Sequence, residues 1–317
     1  MITREQIIEA LSFLSDENRK IIVVYGLEED LTVLKLDIHR DHLSALLDMM
    51  KASILESMVE KVYEVKSYRS ADERQAYYEY DMDDETDEIR LLREVPGNDD
   101  IPVFSFNDDT ISELNSLILV ITNGEQTISL YKDISGVEKI YTRRRYIIKK
   151  SGLQFVRETE DMLSISASFH MMRVAGVTVL TDLDILEKRN GFKNIIINQA
   201  SRDAQRVSDK HIVSNFDYLR TALEGDLSLS KKLVKALADS PVFGIDNDRI
   251  INFSRTNRRL QGKLGYTADN SQIHLTNKKQ IQWLLKLLND DFLRSQLSEE
   301  EYESGNKDMI RENRVQN

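Results

Sequence analysis

Cysteine is absent from the 317-residue chain, which rules out disulfides, thiolate-bound zinc, iron–sulfur clusters and a Cys nucleophile. Such a chain suits a reducing cytosol, and cytoplasmic location is the expectation. Proline is nearly absent, and two of its three occurrences, Pro96 and Pro102, fall in one short stretch, VPGNDDIP. Long hydrophobic runs are missing too. The longest, such as residues 117–121, fall far below the roughly 20 residues of a spanning helix. The opening MITREQIIEA lacks the charged-then-apolar layout of a secretory signal. Any membrane association is therefore expected to run through a partner.

What remains is ample for a core, since 41% of residues are apolar, and the length predicts roughly two domains. The net charge of -11 conceals an asymmetry. Residues 1–115 hold 12 Lys/Arg against 28 Asp/Glu, whereas residues 116–295 hold 28 against 20. A basic surface keeps its own field once an acidic one lies beyond a Debye length, about 8 Å at physiological salt. The second half can therefore face a polyanion.

Residues 3–15 read as a helix in which Thr3 and Gln6 form a capping box and Ile7, Ile8, Leu11 and Leu14 make one apolar stripe. KIIVVYG and LTVLKLDI read as a strand pair. From residue 39 to about 68 runs the longest periodic segment, with Leu43, Leu46, Leu47, Met50, Ile54, Met58 and Val62 stepping by three and four. Met49, Leu55 and Val59 widen the stripe, which fits a central helix or, in part, a homodimer seam. His39 and His42 lie at its start, but Asp41 as N-cap accounts for this position better than a metal does. Asp81, Asp83, Asp84, Glu85, Asp87 and Glu88 crowd one acidic loop. It lacks the Gly and final Glu of a calcium loop, and it is either solvated or a competitor for the chain's own basic residues. Asn123-Gly124 closes a hairpin in SLILVITNGEQTISLYKDI.

The most distinctive stretch is YTRRRYIIKKSG, residues 141–152, with five Lys/Arg in eight residues. Tyr146, Ile147 and Ile148 are β-prone, Ser151-Gly152 turns the chain, and residues 153–156 return as a second strand. Because side chains alternate across a strand, Arg143 and Arg145 would share a face with Lys149, and Arg144 with Lys150. No acid interrupts residues 139–150, so the surface is suited to tracking phosphates. NFSRTNRRLQGKLGY supplies a second basic group, with Arg255, Arg258 and Arg259 expected on one helix face and Lys263 beyond. Backbone contacts of this kind position a protein without reading bases. Further on, Asp182, Asp184 and Glu187 could hold Mg²⁺ in a nuclease, although helix capping by Thr181 or Asp182 explains the same residues. His170, His211 and His274 stand apart in sequence and read as structural. No catalytic motif, cofactor site or metal site emerges.

The runs YTRRRYIIKKSGLQFVRETEDMLSIS, FHMMRVAGVTVLTDLDILEKRNGF and LLNDDFLRSQLSEEEY resemble, in order and patterning, the KwaB family of the Kiwa anti-phage defence system, over about residues 140–303. That resemblance implies a dimeric, cytoplasmic bacterial protein that binds DNA and works with a small membrane-embedded partner, KwaA, which recruits it to the inner membrane. It further implies that phage DNA is held and its replication and late expression blocked. The expected architecture is α+β. An acidic N-terminal domain, residues 1–135 with its boundary between 115 and 135, combines a mixed or antiparallel sheet with one long helix. A basic domain, residues 136–298, adds a β-hairpin region and a helical bundle, and a polar tail follows from 299 to 317. The expected function is double-stranded DNA binding with little sequence specificity through Arg143, Arg144, Arg145, Lys149, Lys150, Arg255, Arg258, Arg259 and Lys263. A Mg²⁺-dependent nuclease and a scaffold without a nucleic-acid role are the alternatives.

Overall fold

The computed structural model describes residues 1–15, 21–71, 76–105, 111–141, 147–152, 154–238, 240–294 and 301–303. The chain is α+β and divides into two units, one of Met1–Tyr68 with Asp72–Phe192 and one of Arg69–Ala71 with Lys193–Asn317.

The first unit is built on an eight-stranded sheet. Its strands are β1 (Ile21–Leu27), β2 (Val33–Leu36), β3 (Val65–Ser67), β4 (Tyr77–Glu79), β5 (Ser116–Thr122), β6 (Thr127–Asp133), β11 (Met171–Val174) and β12 (Val177–Leu180), in the order β2-β1-β5-β6-β11-β12-β4-β3. Outside it lie β7 (Lys139–Ile140) paired with β10 (Met162–Leu163), and β8 (Ile148–Ser151) paired with β9 (Gln154–Arg157). Of the large sheet's pairings only β3 with β4 is parallel. The sheet passes straight through residue 135, because β6 bonds to β11. The division expected at 115–135 from the charge shift therefore moves to Phe192, since backbone pairing rather than charge holds these strands together.

Period-two alternation explains why the strands read as unbroken apolar runs. Val24, Leu119, Leu130, Met172 and Val179 align as one cross-strand row and are all buried. On the opposite face Tyr25, Ile118, Tyr131, Met171, Leu180 and Tyr78 form a second buried row. With both faces covered, most central strand positions are apolar, and Ser129, Lys132 and Thr178 are buried among them. The first row shares its core cluster with Leu47, Met50 and Ile54 of α2 (Arg40–Leu55), after α1 (Arg4–Ala10) has contributed Ile7. The second face is approached by α3 (Asp87–Glu94), whose Ile89 and Leu92 are buried.

The capping box at Thr3 and Gln6 is present, and Asn123-Gly124 closes β5 onto β6, with Gly124 at φ +93°. Glycine reaches this left-handed region without the Cβ clash that penalises other residues. The long helix differs from expectation at both ends. Its N-cap is His39, whose Nδ1 accepts from the Asp41 amide, so Asp41 lies in the first turn. After a π-helical turn at Glu56–Glu60, Val62 adopts φ +54° and residues 65–67 join the sheet. Val59 and Val62 are left exposed.

The first unit closes with α4 (Leu183–Arg189); the second is mainly helical, with α5 (Phe192–Asp209) leading to α6 (Phe216–Gly225), α7 (Leu227–Ala238), α8 (Asn247–Thr256) and α9 (Lys278–Leu288). Short ladders join β13 (Gly265–Tyr266) to β14 (Ile273–His274) and β15 (Phe292–Arg294) to β16 (Glu301–Glu303). Leu233, Val234 and Leu237 of α7 and Ile281, Leu284, Leu285 and Leu288 of α9 are buried at helical spacing, and the two helices pack together.

Candidate nucleic-acid interface

The hairpin expected after the arginine run exists as β8 and β9, an antiparallel ribbon pairing Ile148 with Arg157, Lys149 with Val156, Lys150 with Phe155 and Ser151 with Gln154. Gly152, at φ +62°, makes the reversal. Directly opposite residues share a face, so one face carries Ile148, Lys150, Phe155 and Arg157 and the other Lys149, Ser151, Gln154 and Val156. Every residue of both strands is exposed. Phe155 is 78% exposed, the extreme among the large apolar residues of the described chain. Arg143, Arg144, Arg145 and Tyr146 immediately precede this ribbon in sequence and lie outside the described residues.

The two lysines are not equivalent. The Lys149 ammonium stands 2.6 Å from the Glu158 carboxylate, which also accepts from the amides of Thr159 and Glu160. Lys149, followed by these amides, holds the Glu158 carboxyl below its ordinary range, and Glu158 in turn raises Lys149. The Glu158 amide donates to the Ile147 carbonyl at 2.8 Å, extending the pairing at the ribbon's root. Lys150 projects from the opposite face beside Phe155.

In the second unit the basic group takes a different form from the one expected. Arg255 is on α8, but the helix ends at Thr256, where Asn257 turns to φ -65°, ψ 126°. Arg258 and Arg259 belong to the turns that follow, and the Arg259 amide donates to Asn257 Oδ1 at 3.0 Å. The spacing i, i+3, i+4 thus fails to create one helix face, because the Asn257 side chain offers the backbone a turn in place of another helical step. All three arginines and Lys263 are exposed.

Lys263 lies 5.8 Å from the centre of the Trp283 ring, and Lys286 lies 4.6 Å from it. Trp283 stacks on Phe292, with centroids 6.4 Å apart and planes 20° from parallel, and Phe292 also meets the half-exposed Phe253. Cations over an indole are held by its quadrupole, so this surface pairs charge with aromatic rings. Sequence reasoning missed Lys286, since α9 was legible mainly through its apolar stripe; the signal available was its i+3 position from Trp283. Lys278 is engaged by Asp226.

The acidic candidates are used locally. Asp182 caps α4 by accepting from the Ile185 amide at 3.1 Å, while Asp184 is exposed. Among the described residues no three His, Asp or Glu stand together as a metal site. In the acidic loop Glu85 pairs with Arg93 and Asp87 with Arg90, both at 2.5 Å, and Asp81 accepts from the Ser67 hydroxyl at 2.5 Å. A cleft of about 230 Å³ in the first unit is lined by Glu28, Glu29, Glu88 and Asp133 against a single Arg189, a charge balance hostile to phosphates. His170 is buried, and its Nδ1 accepts from the Asp133 amide at 3.0 Å. No helix of the described residues is long and apolar enough to cross a membrane.

No solved structure matches the chain. A curated relative, Kiwa protein KwaB of Escherichia coli O55:H7 (strain RM12579 / EPEC), is 21% identical over 250 residues, covering 76% of this chain and 78% of the relative. The family model described as Kiwa protein KwaB-like matches residues 111–298. That span holds the exposed ribbon, the arginines before it and the Lys263/Trp283/Lys286 cluster. Since the match extends over more than half of the sequence, the chain belongs to the Kiwa protein KwaB-like family.

Proposed function

We propose that this protein serves in Kiwa anti-phage defence by holding double-stranded DNA through its backbone, with little regard to sequence. The observation that carries this reading is the β8–β9 ribbon: bonded to no strand of the large sheet, exposed along its length, lysine-bearing and preceded in sequence by three arginines. Family membership supports the defence role. Arg143, Arg144, Arg145, Lys149 and Lys150 contact phosphates, and Arg255, Arg258, Arg259 and Lys263 form a second contact surface. The protein acts as a homodimer, so that two such surfaces on one DNA raise affinity through effective concentration. A KwaA-like membrane protein brings it to the inner membrane, where retained phage DNA is blocked from replication and late expression. Its action is binding, without a catalytic step.

The test is a fluorescence-anisotropy titration of labelled duplex across salt, with Mg²⁺ or EDTA present, for the intact chain and for Arg143/Arg144/Arg145→Ala. Six or more phosphate contacts predict a loss of about 10³- to 10⁵-fold in affinity between roughly 50 and 200 mM salt. The slope should flatten in the variant, and the DNA should stay intact. Absence of binding at the lowest salt would refute the proposal and leave the basic residues as a protein-docking surface. Cleavage abolished by EDTA would refute the non-catalytic reading.

A further inference from the structure

Phosphate binding leaves one feature of the ribbon unexplained. Electrostatic contact with a nucleic-acid backbone needs cations alone, yet directly opposite Lys150 the chain places a phenylalanine that is 78% exposed. The same face holds Ile148, 55% exposed, opposite Arg157. The ribbon is a separate two-stranded sheet, so Phe155 is not a member of either buried row of the large sheet. An aromatic ring held on a two-stranded frame, with a cation at its side, has the chemistry of a base-stacking platform: the ring meets a π-face while the ammonium meets the adjoining phosphate.

Resting on the nucleic-acid reading above, we propose that Phe155 stacks on an exposed base, with Lys150 at the neighbouring phosphate, so that the protein favours DNA containing single-stranded stretches over fully paired duplex. Every base presents a π-face, so the contact is indifferent to sequence. In an intact duplex the bases are already stacked on one another, and the ring gains a partner there only by unstacking a step, which costs free energy. Duplex binding then depends on Lys149, Lys150 and the arginines. Binding to single strands adds the ring.

The experiment compares the full chain with Phe155→Ala, Phe155→Trp and Lys149/Lys150→Ala, using a labelled single-stranded oligonucleotide and a duplex of equal length. Because the Phe155 side chain is mostly in solvent, its replacement leaves the fold intact, which far-UV circular dichroism and thermal unfolding verify. Phe155→Ala is expected to weaken single-strand binding by about ten-fold or more and duplex binding by less than about three-fold. The dependence on salt should be unchanged, because no charge is removed. Phe155→Trp should restore single-strand affinity, and its fluorescence, relative to the wild type with Trp283 alone, should be quenched on binding. Lys149/Lys150→Ala should weaken both complexes and flatten both salt slopes.

Equal losses on both DNAs, or none on either, would overturn the stacking role while leaving duplex binding standing. If the intact protein binds neither DNA, the underlying function fails first. Two other occupants of the exposed ring would also overturn it. A Phe155→Ala variant that changes the sedimentation coefficient but not DNA affinity would assign the ring to a second copy of the chain. Loss of co-sedimentation with anionic phospholipid vesicles in that variant, at unchanged DNA affinity, would assign the ring to a lipid surface.

Discussion

Strand β6 and the β8–β9 ribbon, close together in sequence, treat lysine in opposite ways. Lys132 of β6 is 3% exposed, and its ammonium is held by the Glu138 carboxylate at 3.0 Å and by the hydroxyls of Ser166 and Ser168 at 2.8 and 3.2 Å. Lys139 is also buried, and its ammonium donates to the Ser112 carbonyl and Asn115 Oδ1. Burial pushes Lys139 down, and Glu29 pushes it back. Lys149 and Lys150 of the ribbon are exposed. The basic excess of the second half of the chain therefore combines two unlike populations. Buried lysines tie loops to the sheet, and only exposed ones can meet a partner.

The sharpest break of this comparison replaces one lysine of each kind. Lys132→Met removes the partner of a mostly buried carboxylate and the donor to two serines, and such uncompensated charges cost on the order of 3–5 kcal/mol. Lys150→Met removes a solvated charge and should change stability by no more than about 0.5 kcal/mol. Urea unfolding of both variants reads the difference directly. Equal stabilities would mean that the Lys132 network contributes nothing to the fold, and the distinction between the two regions would collapse.

Acid should reveal the same network. Burial pushes the Glu138 carboxyl up, but the Ser135 amide, the Lys132 ammonium and the Ser166 hydroxyl outweigh it and hold the group down to about 2, against an ordinary 4.5. A depressed carboxyl contributes stability that is fully present above its unfolded value and is lost as pH falls towards the folded one. The contribution is thus complete above about pH 4.5 and disappears between there and about pH 2. Glu138→Gln should be less stable than the wild type at pH 6 and should approach it at the acid end of that window. Parallel unfolding curves across the window would contradict this.

Local chemistry was legible in the sequence, whereas its consequences at a distance were not. The Thr3/Gln6 box, the Asn123-Gly124 hairpin, the Asp182 cap and the ribbon's turn at Gly152 each depend on a few adjacent residues. The bonding of β6 to β11 depends on residues far apart, so a charge shift near 115 resembled a boundary although the sheet continues beyond it. Arg255, Arg258 and Arg259 showed helical spacing, but Asn257 ended the helix between them. The cluster around Trp283 needed Lys263 from a distant turn to lie over a ring on α9, which no periodicity encodes. The exposure of Phe155 was equally hidden, because LQFVR reads as a short β-prone run like those whose apolar side chains are buried.

The smallest expected effect separates the two ribbon lysines from each other. Lys149 is neutralised by Glu158 at 2.6 Å, so of the ribbon's two lysines Lys150 carries the larger share of the attraction for phosphate. Glu158→Gln keeps a side-chain oxygen able to accept from the Thr159 and Glu160 amides, which preserves the ribbon's root, while it removes the charge that engages Lys149. Duplex affinity should rise by a few-fold, and the salt slope should steepen by up to about 0.9 as one more cation becomes available to the DNA. Glu160→Gln, an exposed neighbour, controls for general loss of negative charge and should tighten binding less, with no comparable change of slope. Weaker binding in Glu158→Gln would reverse the interpretation, because the ion pair would then be positioning the ribbon and Lys149 would belong with Lys132 among the cations that serve the fold.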